Sequence, residues 1–270
     1  MKKPLISVVV PTKNSEGFLE QCLRTIKEQT YKNLEIIVVD NNSTDKTKEI
    51  AKKYTKLIFN KGPERSTQRN YGASKARGDY LLFIDSDMEL TKNVVKDCIR
   101  RIQNTDIGGL IIPEESFGKG FWARCKTLER SFYVGVDWIE AARFFPKDVF
   151  NQVGGYDETQ ISGEDWDLNQ RVGEKHRLGR IKSYIKHNEG DLSLLNLLRK
   201  KMHYAGEIKN YSSKKQNILN SKQQFSLRNR YMLFFANPRR LLSNPLIGIG
   251  MLFMKTSEFA AGGIGYYLKR

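Results

Sequence analysis

The stretch Tyr80-Leu81-Leu82-Phe83-Ile84-Asp85-Ser86-Asp87 constrains the fold more than any other part of the chain. A short apolar run with aromatic and β-branched members, entered from Gly78-Asp79 and left through acids, reads as a buried strand. Asp85 and Asp87 lie one residue apart, so their side chains share a face of an extended backbone, whereas in a helix they would diverge. Two like charges at the mouth of a buried strand repel. A hard cation carrying phosphate oxygens relieves that repulsion and takes carboxylate oxygens as ligands, so the expected occupant is a divalent metal with a diphosphate. Taken alone, Asp-x-Asp also suits the cap of a following helix, here one running on from Met88-Glu89-Leu90-Thr91.

Strand and helix signals alternate ahead of this stretch. Leu5-Ile6-Ser7-Val8-Val9-Val10 reads as a first buried strand stopped by Pro11, and Leu34-Glu35-Ile36-Ile37-Val38-Val39-Asp40 as a second. Between them Phe18, Leu19, Cys22, Leu23 and Ile26 recur at helical spacing. Asn41-Asn42-Ser43-Thr44-Asp45 forms a polar turn that caps a helix over 46–54. Lys56-Leu57-Ile58-Phe59 is a third strand, and a helix over 66–75 carries Arg69, Asn70 and Gly72. Such alternation implies an α/β, Rossmann-like, mostly parallel sheet flanked by helices, with ligands outside the carboxyl ends of the strands. Asp40, Asp85 and Asp87 all fall at such ends.

Beyond a helix over 92–103, Gly108-Gly109-Leu110-Ile111-Ile112-Pro113 and Ala141-Ala142-Arg143-Phe144-Phe145 read as strands, separated by an aromatic, charged and partly helical segment. Gly163-Glu164-Asp165-Trp166-Asp167-Leu168 opens a helix, whose first turn suits acids in any case. From Ser193 the pattern changes to long basic helices with aromatic interruptions. The 270 residues accommodate one large domain, or one domain with a helical appendage. The formal net charge of +16 is concentrated in residues 180–270, which hold 17 Lys/Arg against four acids. That segment is expected to meet an anionic surface, either membrane headgroups or nucleic acid. Residues 246–268 are largely apolar, but Lys255 and Glu258 interrupt them, and the unbroken part falls well short of the ~20 residues of a spanning helix. An in-plane amphipathic helix is therefore expected, the ordinary alternative being a helix packed back on the domain. Cys22, Cys98 and Cys125 have no paired spacing and read as buried small residues in a reducing compartment. Met1-Lys2-Lys3-Pro4 runs at once into a short strand, so no secretory signal is expected there.

Four segments then line up with a known family. Val9-Val10-Pro11-Thr12-Lys13-Asn14, Ile37-Val38-Val39-Asp40-Asn41-Asn42-Ser43-Thr44-Asp45, Arg69-Asn70-Tyr71-Gly72-Ala73 with Ala76-Arg77-Gly78-Asp79-Tyr80, and Phe83-Ile84-Asp85-Ser86-Asp87 resemble, in order and spacing, the family 2 glycosyltransferases of GT-A fold. Gly154-Gly155-Tyr156-Asp157-Glu158 and Gly163-Glu164-Asp165-Trp166-Asp167-Leu168 extend the likeness over residues 5–190. The resemblance implies a nucleoside-diphosphate sugar as donor, of the UDP or GDP class, a divalent cofactor (Mn²⁺ or Mg²⁺) and transfer with inversion. It places Pro11, Thr12, Asn14, Glu16, Asp40, Asn42, Arg69, Asp85 and Ser86 at the donor nucleotide, and Asp87 with Asp85 and His187 at the metal. Asp165 would be the catalytic base; on the residues themselves, Glu164 is expected to bind acceptor hydroxyls, Trp166 to stack on a sugar face and Arg143 to meet phosphate or an acidic acceptor. Many members carry Asp-Asp-Gly-Ser where this chain has Asp40-Asn41-Asn42-Ser43, and an aromatic where it has Lys13.

The expected organisation is a catalytic domain over 1–192, with a nucleotide-sugar half to about 105 and an acceptor half beyond it, followed by a basic helical membrane-association region over 193–270. The acceptor is expected to be a lipid-linked saccharide or another envelope glycoconjugate, met at the cytoplasmic face of the cell membrane by a peripheral protein. Two rival classes are a nucleotidyltransferase and a non-enzymatic basic protein of membranes or nucleic acid. The first would open with a glycine-rich loop after strand one, and Pro11-Thr12-Lys13-Asn14-Ser15 is not one. Against nucleic acid as a partner, the basic residues follow no reading motif and sit among long apolar side chains.

Overall fold

Apolar runs long enough to be buried on both faces alternate with helices through the first 113 residues. In order these are β1 (Ile6–Thr12), α1 (Leu19–Lys27), β2 (Leu34–Asp40), α2 (Thr47–Lys52), β3 (Ile58–Asn60), α3 (Arg65–Lys75), β4 (Tyr80–Phe83), β5 (Met88–Leu90), α4 (Val94–Ile102) and β6 (Ile107–Ile111). Next come β7 (Glu114–Lys119), α5 (Gly120–Ser131), β8 (Ala142–Pro146), α6 (Lys147–Gln152), α7 (Glu164–Gly173), β9 (Arg177–Arg180) and β10 (Ile185–Asp191). The remainder is helical: α8 (Leu194–Ala205), α9 (Ile208–Ser213), α10 (Ile218–Gln224), α11 (Leu227–Phe235), α12 (Pro238–Leu241) and α13 (Pro245–Leu268). This computed structural model describes residues 3–103, 105–205, 208–214 and 218–268.

Two compact units emerge, one of Met1–Pro113, Ala141–Thr159 and Glu164–His187, the other of Glu114–Glu140, Gln160–Gly163 and Asn188–Arg270. The sequence suggests a single cut near 192, but the second unit also takes in 114–140 and 160–163.

The first unit is built on a seven-stranded sheet of order β3-β2-β1-β4-β8-β6-β9. β3, β2, β1 and β4 run parallel, as do β6 and β9, while β8 is antiparallel to both its neighbours. The expected mostly parallel sheet is therefore present, with one reversed strand. Alternate residues feed two cores, since side chains point to opposite faces along a strand. Val8, Val38 and Leu82 join α1 and α4 on one face, and Val9, Ile37 and Phe83 join α3, α6 and α7 on the other. Met88-Glu89-Leu90, expected as a helix start, is strand β5. Met88 and Leu90 are buried on one side, and the strand pairs antiparallel with Ile185 to His187 of β10, a partner too distant in sequence to leave a local signal.

In the second unit α13 packs on α5 and α8 around Cys125, Leu197, Phe234, Ile247, Met251 and Met254. Inside it lies a closed ionic ring. Lys126 Nζ reaches Glu129 at 2.8 Å and Glu258 at 3.0 Å, and Lys255 Nζ reaches the same two carboxylates at 2.6 and 2.7 Å. Burial opposes ionisation of Glu258, yet the attraction of Lys126, Lys201 and Lys255 outweighs it and the repulsion of Glu129, pulling this carboxyl down to about 2.

Two consequences are measurable by urea unfolding. A Cβ at Gly72 would come within 2.4 Å of Val9 Cγ1, where α3 crosses β1. Valine is stiff at χ1, so Gly72→Ala should lower stability by about 1–3 kcal/mol despite the gain of ~1 kcal/mol in helix propensity. Glu129→Gln should lower it by about 3–5 kcal/mol, because two buried ammonium groups lose a carboxylate; a midpoint unchanged from wild type would show the ring to be dispensable.

Candidate active site

The parallel register sets Thr12 beside Asp40 at the carboxyl edge of the sheet. There the Asp40 side chain, fully buried, is held inside its own loop: Oδ1 accepts from the Thr12 and Ser43 hydroxyls at 3.0 and 2.5 Å, and Oδ2 from the Ser43 amide at 2.8 Å. Lys48 Nζ stands 3.5 Å from Oδ2. Pro11 is buried beside Thr12 at the strand end. The following loop is knitted to the one after β2. The Asn14 amide donates to Ser43 Oγ at 2.8 Å, Asn14 Oδ1 accepts from the Thr44 amide at 2.9 Å, and Glu16 Oε2 accepts from the Lys46 amide at 3.1 Å. Asn14 and Asn42 adopt φ of 46° and 48°, the left-handed region that asparagine tolerates better than other non-glycine residues. Asn42 thus fills the conformation at the position where the resemblance would put glycine. Lys13 turns its Nζ onto the Asn41 carbonyl at 2.8 Å.

Gln68 on α3, which sequence reasoning passed over, donates to the carbonyls of Thr12 at 3.0 Å and Val39 at 2.6 Å, fixing the ends of β1 and β2 together. Its neighbour Arg69 organises the rest. This guanidinium is fully buried and gathers three carboxylates: Asp85 Oδ1 at 2.7 Å, Asp165 Oδ1 at 2.9 Å and Glu164 Oε1 at 3.3 Å. It also lies 5.0 Å from the ring centre of Tyr156. Arg143 takes the other oxygen of Asp85 at 3.4 Å, and Arg65 a further contact to Glu164 at 3.3 Å. Burial opposes ionisation of Asp85, but Arg69, Arg143 and Arg65 overcome it and hold this carboxyl far below the usual carboxylate range. Glu164 is different: burial and the charge of Asp165 together push its pKa up against the pull of both arginines. Asp165 keeps 29% of its side chain open to solvent, against 5% for Glu164. Trp166 is half-buried one residue on.

Asp87 and His187 come together across the β5–β10 pair, with His187 Nε2 3.2 Å from Asp87 Oδ2. Asp87 Oδ1 is buried with no hydrogen-bond partner among the described residues. A hard carboxylate oxygen left unsatisfied beside an imidazole fits a divalent cation. Among the described residues no group of three His, Cys, Asp or Glu side chains could hold a metal. Of the three residues expected there, Asp85 is turned away onto its arginines. Ser86 bonds to Ser15 Oγ at 2.9 Å, tying this loop to the one after β1.

The sequence pattern of Glycosyl transferase family 2 matches residues 7–152, more than half of the chain. The chain belongs to glycosyl transferase family 2. An uncharacterised glycosyltransferase of Haemophilus influenzae is 43% identical to it over 96 residues, 32% of this chain and 38% of that protein. The GalNAc(5)-diNAcBac-PP-undecaprenol beta-1,3-glucosyltransferase of Campylobacter jejuni is 32% identical over 108 residues, 36% of this chain and 34% of that one. The chain therefore spans well under half the length of each. Among solved structures, the mannosyltransferase PcManGT from Pyrobaculum calidifontis, in complex with GDP-Man and Mn²⁺, superposes with a TM-score of 0.65 at 14% identity, covering 98% of this chain and 88% of that one. S. aureus TarS 1–349 in complex with UDP-GlcNAc gives 0.53 at 17% identity, covering 97% and 90%. These likenesses show the GT-A fold.

In this family 2 chain, then, Pro11, Thr12 and Asp40 sit at the strand ends of the first unit and Asn14, Glu16, Asn42 and Ser86 in the loops that follow, whereas Arg69, named for the donor, is buried on α3 with Asp85, Glu164 and Asp165 around it, and Arg143 reaches Asp85 from its other side. Two contributors left little trace in the sequence. Arg65 and Gln68 differ from ordinary surface helix residues only in their neighbours. Asn70 braces the 154–158 turn through the Tyr156 carbonyl at 2.8 Å and Glu158 at 3.0 Å, and Gly155, at φ 67°, allows that close approach.

Arg69→Met should destabilise the protein by about 3–5 kcal/mol near neutral pH, since three carboxylates lose their shared cation. Asp85 has a folded-state pKa below its unfolded value, so its contribution is present above about pH 4 and is lost as pH falls through the folded value. Glu164, raised in the folded state, acts with the opposite sign, its folded form losing stability as pH rises from about 4. The gap between wild type and variant in urea should therefore narrow at about pH 3. An equal gap at both pH values would mean that Arg69 acts through packing alone.

Proposed function

We propose that this family 2 glycosyltransferase moves a sugar, with inversion, from a UDP- or GDP-sugar to a hydroxyl of an acceptor, using Asp165 as the base. The observation that carries this reading is the side-by-side pair of acids at the start of α7, of which Asp165 alone keeps substantial exposure. Inversion in one displacement needs a carboxylate on the face opposite the leaving diphosphate, apart from the residues that hold the phosphates. Partly open to solvent and held by Arg69, Asp165 is suited to that need. Arg69 orients it through Oδ1, limiting the directions in which it can accept the hydroxyl proton as the bond to the sugar forms. Glu164, buried and raised in pKa, suits hydrogen bonding to acceptor hydroxyls, and Trp166 offers a half-buried face beside it. Arg143, paired with Asp85, adds positive charge beside these acids and is the further candidate for contact with the acceptor.

The fixed loops after β1 and β2 form the nucleoside side. Asp40 stiffens that side from within, leaving the exposed Asn14 and Asn42 to face the donor. Asp87 and His187 would hold Mn²⁺ or Mg²⁺, which when bound neutralises charge developing on the leaving diphosphate. A site with few protein ligands suits an ion that shares its coordination with substrate phosphates and water.

Support for a lipid-linked saccharide or other envelope glycoconjugate as acceptor comes from the Campylobacter relative, named for an undecaprenol-linked substrate. The basic C-terminal third supports peripheral attachment at the cytoplasmic face of the membrane.

Asp165→Asn should lower the turnover of sugar transfer by about 10²–10⁴-fold while leaving calorimetric binding of the donor nucleotide intact. Transfer within about tenfold of wild type would remove Asp165 as the base. Asp87→Asn and His187→Ala should each raise the Mn²⁺ concentration needed for UDP or GDP binding, and metal-independent binding by wild type would count against the cation.

A further inference from the structure

Helix α13 carries both its charges inward, and beyond the apolar residues it packs on α5 and α8 it turns a second apolar set outward. Lys255 and Glu258, the two residues that interrupt its apolar sequence, are both consumed by the buried ring with Lys126 and Glu129. Its exposed positions recur every three or four residues, and none is charged. Leu246, Ile249, Phe253, Ile264 and Tyr267 are each more than half exposed, a stripe along the length of a 24-residue helix. Water-soluble helices ordinarily show the reverse pattern.

The stripe continues into neighbouring helices of the same unit. Phe121 and Trp122 on α5 stack edge to face at 4.9 Å, and Trp122 lies 6.2 Å from Phe253. One turn beyond Phe253, Thr256 hydrogen-bonds Tyr231 on α11, whose ring is 6.2 Å from that of Phe235. Among the described residues sixteen large hydrophobic side chains are exposed, and all but Phe18 belong to this second unit. Exposed cations accompany them, including Arg124, Arg199, Lys200, Arg228 and Arg239.

We propose that this aromatic ridge and the outer face of α13 seat the chain on an anionic lipid bilayer. The proposal rests on the peripheral-membrane reading above and specifies the surface responsible. Apolar and aromatic side chains enter the interface, and the arginines and lysines of the unit meet lipid phosphates. Charge favours a bilayer over a second copy, because two chains of formal net charge +16 repel each other while anionic headgroups attract both. Among the described residues no helix is long and apolar enough to cross a membrane. The stripe follows one side of α13, so the helix lies in the plane of the interface with its ionic ring beneath it. That ring removes the helix's own charges from the lipid-facing side.

Flotation of the full chain with phosphatidylcholine vesicles, with and without phosphatidylglycerol, tests this. Wild type is expected to float with the anionic vesicles and less so in high salt. The double variant Ile249→Glu with Phe253→Glu should lose about tenfold or more of its partitioning, with Phe18→Glu as an unaffected control. Circular dichroism melting confirms folding, and Tyr267→Glu, near the helix end, reads the same surface should the double variant unfold. Undiminished flotation of a folded double variant, with wild type bound, overturns this face but leaves peripheral attachment standing. Absence of wild-type flotation overturns both. A dimer seen by light scattering, abolished by the double variant while flotation is unchanged, makes the face a self-interface and overturns the proposal.

Discussion

A single buried guanidinium sets the geometry of the first unit. Placing Arg69 out of water is unfavourable by several kcal/mol unless anions surround it, and the fold supplies them from two distant segments, Asp85 after β4 and the Glu164–Asp165 pair at the start of α7. Those segments also hold the residues proposed for the chemistry. The cation that makes three clustered carboxylates tolerable is therefore the same group that orients one of them, and Arg143 and Arg65 complete the balance from the outside. The acids differ in environment as a result, with Asp85 drawn down by arginines and Glu164 pushed up by burial and its neighbour.

Polar groups perform a comparable structural task at the edge proposed for the nucleoside. Asp40 holds a loop by accepting from Thr12 and Ser43, and Gln68 joins two strand ends through their carbonyls. A rigid edge of this kind can present backbone and short side chains to a ligand without reordering on binding, which limits the entropy lost. The Asp87–His187 pair stands apart from this network, with an unsatisfied carboxylate oxygen as the feature that suits it to a cation.

The second unit solves a different problem by a related device. Its two lysines and two glutamates neutralise one another in the interior, each lysine bridging both carboxylates. What remains at the surface of α13 is apolar. Burying the helix's two charges within an otherwise apolar core and leaving an apolar exterior suits the lipid neighbour proposed for it.

Much of the fold was legible in the sequence because it rests on local periodicity. Runs such as Val8-Val9-Val10 and Ile36-Ile37-Val38-Val39 can be buried only between two layers of helix, and acids at strand ends mark the ligand-facing edge of such a sheet. The sequence also singled out Asp85, Asp87 and the Glu164–Asp165 pair by residue type and spacing. It could not show that β5 pairs with β10, that Arg69 and Arg143 grip Asp85, or that Arg65 and Gln68 join this cluster, since each depends on partners up to a hundred residues away. For α13 the sequence determined how many apolar and charged residues the helix holds. Only tertiary packing decided that Lys255 and Glu258 point inward, because Lys126 and Glu129, their buried partners, come from a helix more than a hundred residues earlier in the chain.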